Sequence, residues 1–191
     1  TPAKYRIMTK AMQMALQKLV EALVGESQAA YMSDGRQIHD NTILMVEVLR
    51  RLKGSHSRAV AVMADNSAAF DRVRWDFLDR VLGECGLPDD VRGLFGSIYH
   101  DLKFRIKLNG QAGPEQPHTN GVRQGCGVSP LAFILVQEAL LCSLREDEEL
   151  KGIDIDGCAA LERCFADDTV VYLDSPEQIP RLFAIFARYE R

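Results

Sequence analysis

Three aspartates stand where carboxylates do chemistry. Asp65 closes the continuous apolar run Ala59-Val60-Ala61-Val62-Met63-Ala64, and Asp167-Asp168 separates two apolar segments, Leu161 to Ala166 and Thr169 to Leu173. A run of that length reads as a strand, and two such runs around a two-residue break read as a tight hairpin. Unpaired carboxylates at apolar strand ends are costly to desolvate, and a divalent cation compensates them. Two such cations about 3.5–4 Å apart, held by shared carboxylates, activate a hydroxyl and stabilise the leaving group in in-line phosphoryl transfer. Taken singly, the same residues have plainer readings, with Asp-Asp as a hairpin turn and Asp65 as a helix cap. Their joint setting favours the metal site.

Other chemistry-bearing residues form no such pattern. Asp154-Ile155-Asp156-Gly157 has the opening of a calcium loop but lacks its third ligand and its closing Glu, so it reads as a turn. His39-Asp40 has no second His cluster at ligand spacing, and Asp40 reads as the cap of a helix from Thr42 to Arg51. The five cysteines, at 85, 126, 142, 158 and 164, are odd in number and include no C-x-x-C pair. Reduced thiols in an intracellular compartment are the simpler reading.

The elements that must position the acids follow from periodicity. Residues Tyr5 to Val24 space Ile7, Met8, Ala11, Met12, Ala15, Leu16, Leu19, Val20 and Leu23 as one apolar helix face, which Gly25 ends. Ile38 to Arg51 resumes that spacing, and Gly54 closes it. Trp75 to Cys85 and Asp89 to Leu102 read as two helices split by Gly86-Leu87-Pro88, the second opening on an acidic cap. Phe104 to Leu108 alternates and runs into Asn109-Gly110, a hairpin turn signal. A Gly- and Pro-rich stretch leads to a helix from Pro130 to Arg145, and Pro176 to Arg191 starts a last helix. This order is α+β with a mainly antiparallel sheet.

With 191 residues, 47% of them apolar and 26% charged, the chain has the size and composition of one globular unit, which excludes disorder. Its longest apolar stretch, Val128 to Leu144, is broken by Ser129, Pro130, Gln137 and Glu138, short of the roughly 20 residues a membrane helix needs. The N-terminus lacks a secretory signal pattern and reads as the interior of a longer chain. Net charge is -4, but residues 1 to 59 carry nine Lys/Arg against five Asp/Glu, and residues 145 to 191 carry six against twelve. Bulk electrostatics alone therefore does not grip a nucleic acid, while the acidic end suits metal-binding carboxylates.

Three segments carry a family resemblance: Asp65-Asn66-Ser67-Ala68-Ala69-Phe70-Asp71; the run from Arg123-Gln124-Gly125 through Cys126-Gly127-Val128-Ser129-Pro130 to Phe133; and Phe165-Ala166-Asp167-Asp168. In that order they resemble three motifs of the reverse transcriptases of non-LTR (LINE-type) retrotransposons. Tyr5-Arg6-Ile7, Gly35-Arg36-Gln37-Ile38-His39-Asp40-Asn41 and Leu108-Asn109-Gly110 are similar to further segments of that family, so the likeness covers nearly the whole chain.

The resemblance implies a right-hand polymerase fold, with helical fingers from residue 1 to 58, an α+β palm from 59 to 191, and the thumb beyond the chain. It implies an RNA-directed DNA polymerase that adds dNTPs to a DNA primer on an RNA template with two Mg²⁺, for which Mn²⁺ can substitute. Asp65 and Asp167 are the implied direct ligands, Asp168 the third acid, and the Asn66 carbonyl an additional donor. Phe70 matches the aromatic under the sugar, although a core aromatic explains it nearly as well. Gln124 and Gly125 match the loop that packs on nucleotide and template, and Arg6 a basic position near the triphosphate, unless it is a solvated helix charge.

Two departures stand out. Gly127 replaces the usual Pro, which leads us to expect a looser loop, and Ala68 replaces the usual Lys. A longer polyprotein with an endonuclease, and action in the nucleus, are further implications. The competing readings are a decayed palm that binds nucleic acid without catalysis and a structural α+β interaction domain.

Overall fold

The computed structural model describes residues 3–54, 58–100 and 102–189. Two helices come first, α1 (Ala3–Leu23) and α2 (Ile38–Gly54). Strand β1 (Val60–Ala64) follows, then the short α3 (Ala69–Arg72), α4 (Trp75–Glu84) and α5 (Asp89–Tyr99). Next come the ribbon β2 (Lys103–Leu108) and β3 (Gln111–Pro117), the long α6 (Ser129–Arg145), and the small hairpin β4 (Ile153–Ile155) and β5 (Cys158–Ala160). The hairpin β6 (Glu162–Phe165) and β7 (Asp168–Leu173), a 3₁₀ turn at Pro176–Gln178, and α7 (Ile179–Tyr189) complete the order. Residues 190 and 191 of the expected last helix, and the 55–57 stretch at the expected fingers boundary, lie outside the described residues.

The sheet that matters is three-stranded and antiparallel, in the order β1-β7-β6. Its register pairs Val60 with Leu173 and Ala64 with Thr169, and on the other side Glu162 with Val171 and Phe165 with Asp168. The middle strand β7 buries Val171, Tyr172 and Leu173. The outer strand β1 is less covered than its apolar run implied, with Met63 69% exposed. An edge strand has a neighbour on one side only, so an apolar run there need not be buried on both faces.

Helix α6 is the centre of the molecule. Leu131, Ile134, Leu141 and Leu144 have no accessible surface, and α6 is apolar on nearly every side because other elements surround it. Its Val128 to Val136 stretch shares one core with α1, α4 and α5, and Leu140 to Leu144 shares a second with β7 and α7. Pro130 is accommodated in its first turn, where a backbone N–H has no helical partner to lose.

Three expectations about helices need correction. The apolar face of α1 is only partly used: Val20 and Thr9 are buried, while Ile7 is 71% and Leu19 42% exposed. Thr9 is drawn inward by its contact with the 126–128 loop, and that line of approach leaves the opposite side of the helix bare. Helix α2 starts at Ile38 and not at Thr42, and Asp40 sits inside it, its carboxylate accepting the Gln37 N–H at 2.8 Å. It thus satisfies an orphan donor from the third helical position, as the acid of a capping box does. At α5 the N-cap is Pro88, with Asp89 the first helical residue. The ribbon β2-β3 forms where Asn109-Gly110 predicted it, with both turn residues at positive φ.

Candidate active site

The sheet register brings the acids to one edge. Ala64 and Thr169 form the last pair of β1 with β7, so Asp65 and Asp168, the residues just beyond that pair on the two chains, stand at the same end of the sheet. Phe165 pairs with Asp168 across the hairpin, leaving Ala166 and Asp167 as its tip. All three carboxylates therefore stand at the same end of β1-β7-β6.

Asp65 and Asp168 are exposed and Asp167 is half-buried. The expectation that burial penalises them is thus corrected for two of them: β1 ends one residue before Asp65, β7 begins at Asp168, and both side chains lie open to solvent. Among the described residues, no salt bridge or side-chain hydrogen bond is formed by any of the three carboxylates. Among the described residues, no group of three or more His, Cys, Asp or Glu side chains is gathered closely enough to hold a metal ion. Mg²⁺ does not require such a group, since it binds through one or two carboxylates and completes its shell with water and substrate phosphates. Carboxylates at one end of the sheet are donors of the hard-oxygen type that this chemistry calls for.

The flanking residues are held from below. Asn66 donates its side-chain amide to Gln137 at 3.4 Å, and Gln137 donates to the Thr169 hydroxyl at 3.1 Å, so buried Gln137 links the segments carrying Asp65 and Asp168. The Asn66 carbonyl accepts the Ala69 N–H at 3.1 Å, which occupies one of its two lone pairs. Ala68 opens α3 in the left-handed region, at φ 54. A cavity of about 780 Å³ opens beside Asp65 and Asn66, with Arg72, Arg74 and Arg188 on its wall.

Phe70 stacks on Phe133 of α6 with ring centroids 4.4 Å apart, and its carbonyl accepts the Val122 N–H. It therefore ties the segment after Asp65 to the loop before α6. Gln124 and Gly125 are exposed at a turn closed by the Cys126 N–H to the Arg123 carbonyl. Gly125 has φ +77 with open space around it, so conformation is what calls for glycine there.

Gly127 is held by proximity instead. A Cβ there would lie 2.9 Å from the Thr9 carbonyl oxygen and 3.0 Å from Lys10 Cα, and its N–H is donated to Thr9 Oγ1 at 3.2 Å. The loop expected to be looser for want of Pro is pinned against α1. Arg6 is exposed in the first turns of α1, two residues from Lys4 and one from Tyr5, whose ring lies 5.2 Å under the Arg123 guanidinium. Burial pushes the Tyr5 hydroxyl up to about 12.

Sequence reasoning missed the support behind the hairpin. Residues 27–30 run parallel to β6 at Cys164, with the Cys164 N–H donated to the Ser27 carbonyl and the Ala29 N–H to the Cys164 carbonyl. No periodicity marks so short a segment, and only the matching Gly35-Arg36 motif nearby pointed towards the region.

A three-stranded antiparallel sheet with acids at one edge, backed by helices and flanked by two N-terminal helices, defines a right-hand polymerase palm with part of its fingers. The family model for reverse transcriptase (RNA-dependent DNA polymerase) matches residues 1–190, and the chain belongs to that family. It is 30% identical over 152 residues to the Pol polyprotein of the type-1 retrotransposable element R2 of Popillia japonica, covering 78% of this chain and 25% of that protein. It is also 28% identical over 142 residues to the transposon TX1 149 kDa protein of Xenopus laevis, covering 74% of this chain and 11% of that one. Among solved structures, an apo telomerase from Candida tropicalis aligns with a TM-score of 0.66 at 13% identity, over 98% of this chain and 39% of its own. That likeness concerns the fold. The chain spans a quarter or less of these two curated relatives. Among the described residues, no helix is long and apolar enough to cross a membrane.

Proposed function

We propose that this chain is the catalytic portion of an RNA-directed DNA polymerase of a non-LTR retrotransposon, which adds dNTPs to a DNA primer 3'-hydroxyl on an RNA template. The observation that supports the reading is the register of β1 against β7, whose last pair, Ala64 with Thr169, leaves Asp65 at the same end of the sheet as Asp168 and the Ala166-Asp167 tip. Asp65 and Asp167, with Asp168 as third acid and the Asn66 carbonyl as a further donor, would hold two Mg²⁺ ions, or Mn²⁺ in their place. Bound there, the ions supply activation of the primer hydroxyl and charge stabilisation on the leaving pyrophosphate.

The chain's own residues orient the substrates. Phe70, braced by Phe133, lies under the incoming sugar and discriminates against a 2'-hydroxyl. The Gln124-Gly125 turn packs on nucleotide and template, and Arg6 meets the triphosphate. In this reading residues 1–58 are a fingers portion and 59–191 a palm, joined through the packing of α1 on α6. The name of the R2 relative fits a place in a longer polyprotein, and an endonuclease companion and action in the nucleus belong to the same proposal.

The test is primer extension by the polymerase that contains this chain, in parallel with Asp167→Asn, which keeps shape and removes a ligand. Loss of extension with an unchanged melting profile is the expected result. Unchanged extension by the variant would refute the assignment and favour a structural α+β domain.

A further inference from the structure

Gln28 has no accessible surface, yet it lies in a loop and belongs to none of the acidic motifs. Its side-chain oxygen accepts the Ala166 N–H at 2.9 Å and its side-chain nitrogen is donated to the Ala166 carbonyl at 3.2 Å. One amide thus pairs with both main-chain groups of one residue, 138 positions away. Ala166 is the first residue of the hairpin tip and sits at φ 58, a left-handed conformation that costs an L-residue about 1–2 kcal/mol. Such a conformation persists where the surroundings over-determine it. Gln28 supplies that determination from outside the hairpin, and the next residue is Asp167.

The loop that presents Gln28 is itself tied. Gln28 Oε1 also accepts the Ala30 N–H at 2.9 Å. The Arg36 guanidinium is donated to the carbonyls of Gly25 at 2.6 Å, Gln28 at 3.2 Å and Val24 at 3.3 Å, and pairs with Asp34 at 2.8 Å. Asn41 of α2 donates to the Cys164 carbonyl at 3.0 Å, the same oxygen that accepts the Ala29 N–H. The fingers-side segment therefore grips the end of β6 and its tip at alternate residues, 164 and 166.

We infer that Gln28, held by Arg36, is a positioning residue that fixes the Ala166-Asp167 tip and thereby sets the affinity of the acidic edge for divalent metal. The inference rests on the metal-site reading above, and it assigns to the fingers side a part in the geometry of the palm. Partners that orient metal ligands from behind typically change metal affinity by about 10–100-fold when removed.

The test uses the whole chain, with Mn²⁺ alone as the probe, read by electron paramagnetic resonance, together with amide hydrogen exchange. In Gln28→Met the Ala166 and Ala30 amides should exchange at least about tenfold faster while α6 amides keep their protection. Mn²⁺ affinity should fall by about 10–100-fold. Arg36→Lys, a milder change, should reproduce both shifts in the same direction and keeps the claim testable if Gln28→Met fails to fold. Unchanged Ala166 exchange and Mn²⁺ affinity in folded variants would overturn the inference. Asp167→Asn is the separate control: if it binds Mn²⁺ as the parent does, the metal-site reading fails, whatever the Ala166 amide shows.

Discussion

Gly127→Ala offers a test in which two effects of opposite sign compete. The residue does not sit at positive φ, so alanine is compatible with its backbone, and reduced freedom of the unfolded chain would stabilise the variant by about 0.4–1 kcal/mol. Against that, the new Cβ would meet the Thr9 carbonyl oxygen at 2.9 Å and the Lys10 backbone at 3.0 Å. These are main-chain atoms of a helix, which cannot rotate aside as a side chain does. Overpacking of this kind costs about 1–3 kcal/mol, so the net change is a destabilisation of roughly 1–2 kcal/mol. For a chain of this length that lowers the melting temperature by about 2–8 °C. Differential scanning calorimetry of parent and variant reads it directly. A variant that melts at or above the parent would show that α1 does not press on the loop, and with it the pinning of the loop before α6 would fall.

Two further predictions concern the support of the site. Phe133→Ala removes a ring that is 3% exposed and stacked on Phe70, and should cost about 3–5 kcal/mol in urea unfolding, far more than a surface aromatic would. The Arg181 guanidinium beside Asp147 holds that carboxyl below its ordinary range. Because the folded value is the lower one, its contribution is present above about pH 4 and disappears as pH falls through the folded value. Arg181→Ala should therefore lower the urea midpoint at pH 7 and leave it unchanged well below pH 4, and an equal loss at both pH values would contradict the pairing.

Local signals carried most of the fold. The switch from helical to strand periodicity at Ala59, the Asn109-Gly110 turn and the Asp167-Asp168 break each specify an element without reference to anything distant. What they could not carry is which face of an element meets a partner. The apolar stripe of α1 looked continuous from Ile7 to Leu23, yet the helix is turned so that Thr9 faces the loop at Gly127 and Ile7 faces out. The same limit hid Gln28, because a buried polar side chain in a loop has no period, and its partner is more than a hundred residues away. Within the site, the three aspartates were legible as a set from their strand-end positions. Their exposure was not, since it depends on where the strands stop relative to the neighbouring helices.

On the proposed function, Asp65 and Asp167 hold divalent metal together at the open end of the sheet. A crystal structure of the chain grown with Mn²⁺, with anomalous difference maps, tests it most directly. An anomalous peak within ligand distance of both the Asp65 and the Asp167 carboxylates is the expected result. Saturating Mn²⁺ with no peak there, or the Asp65 carboxylate on the opposite face of the sheet from Asp167, would contradict it.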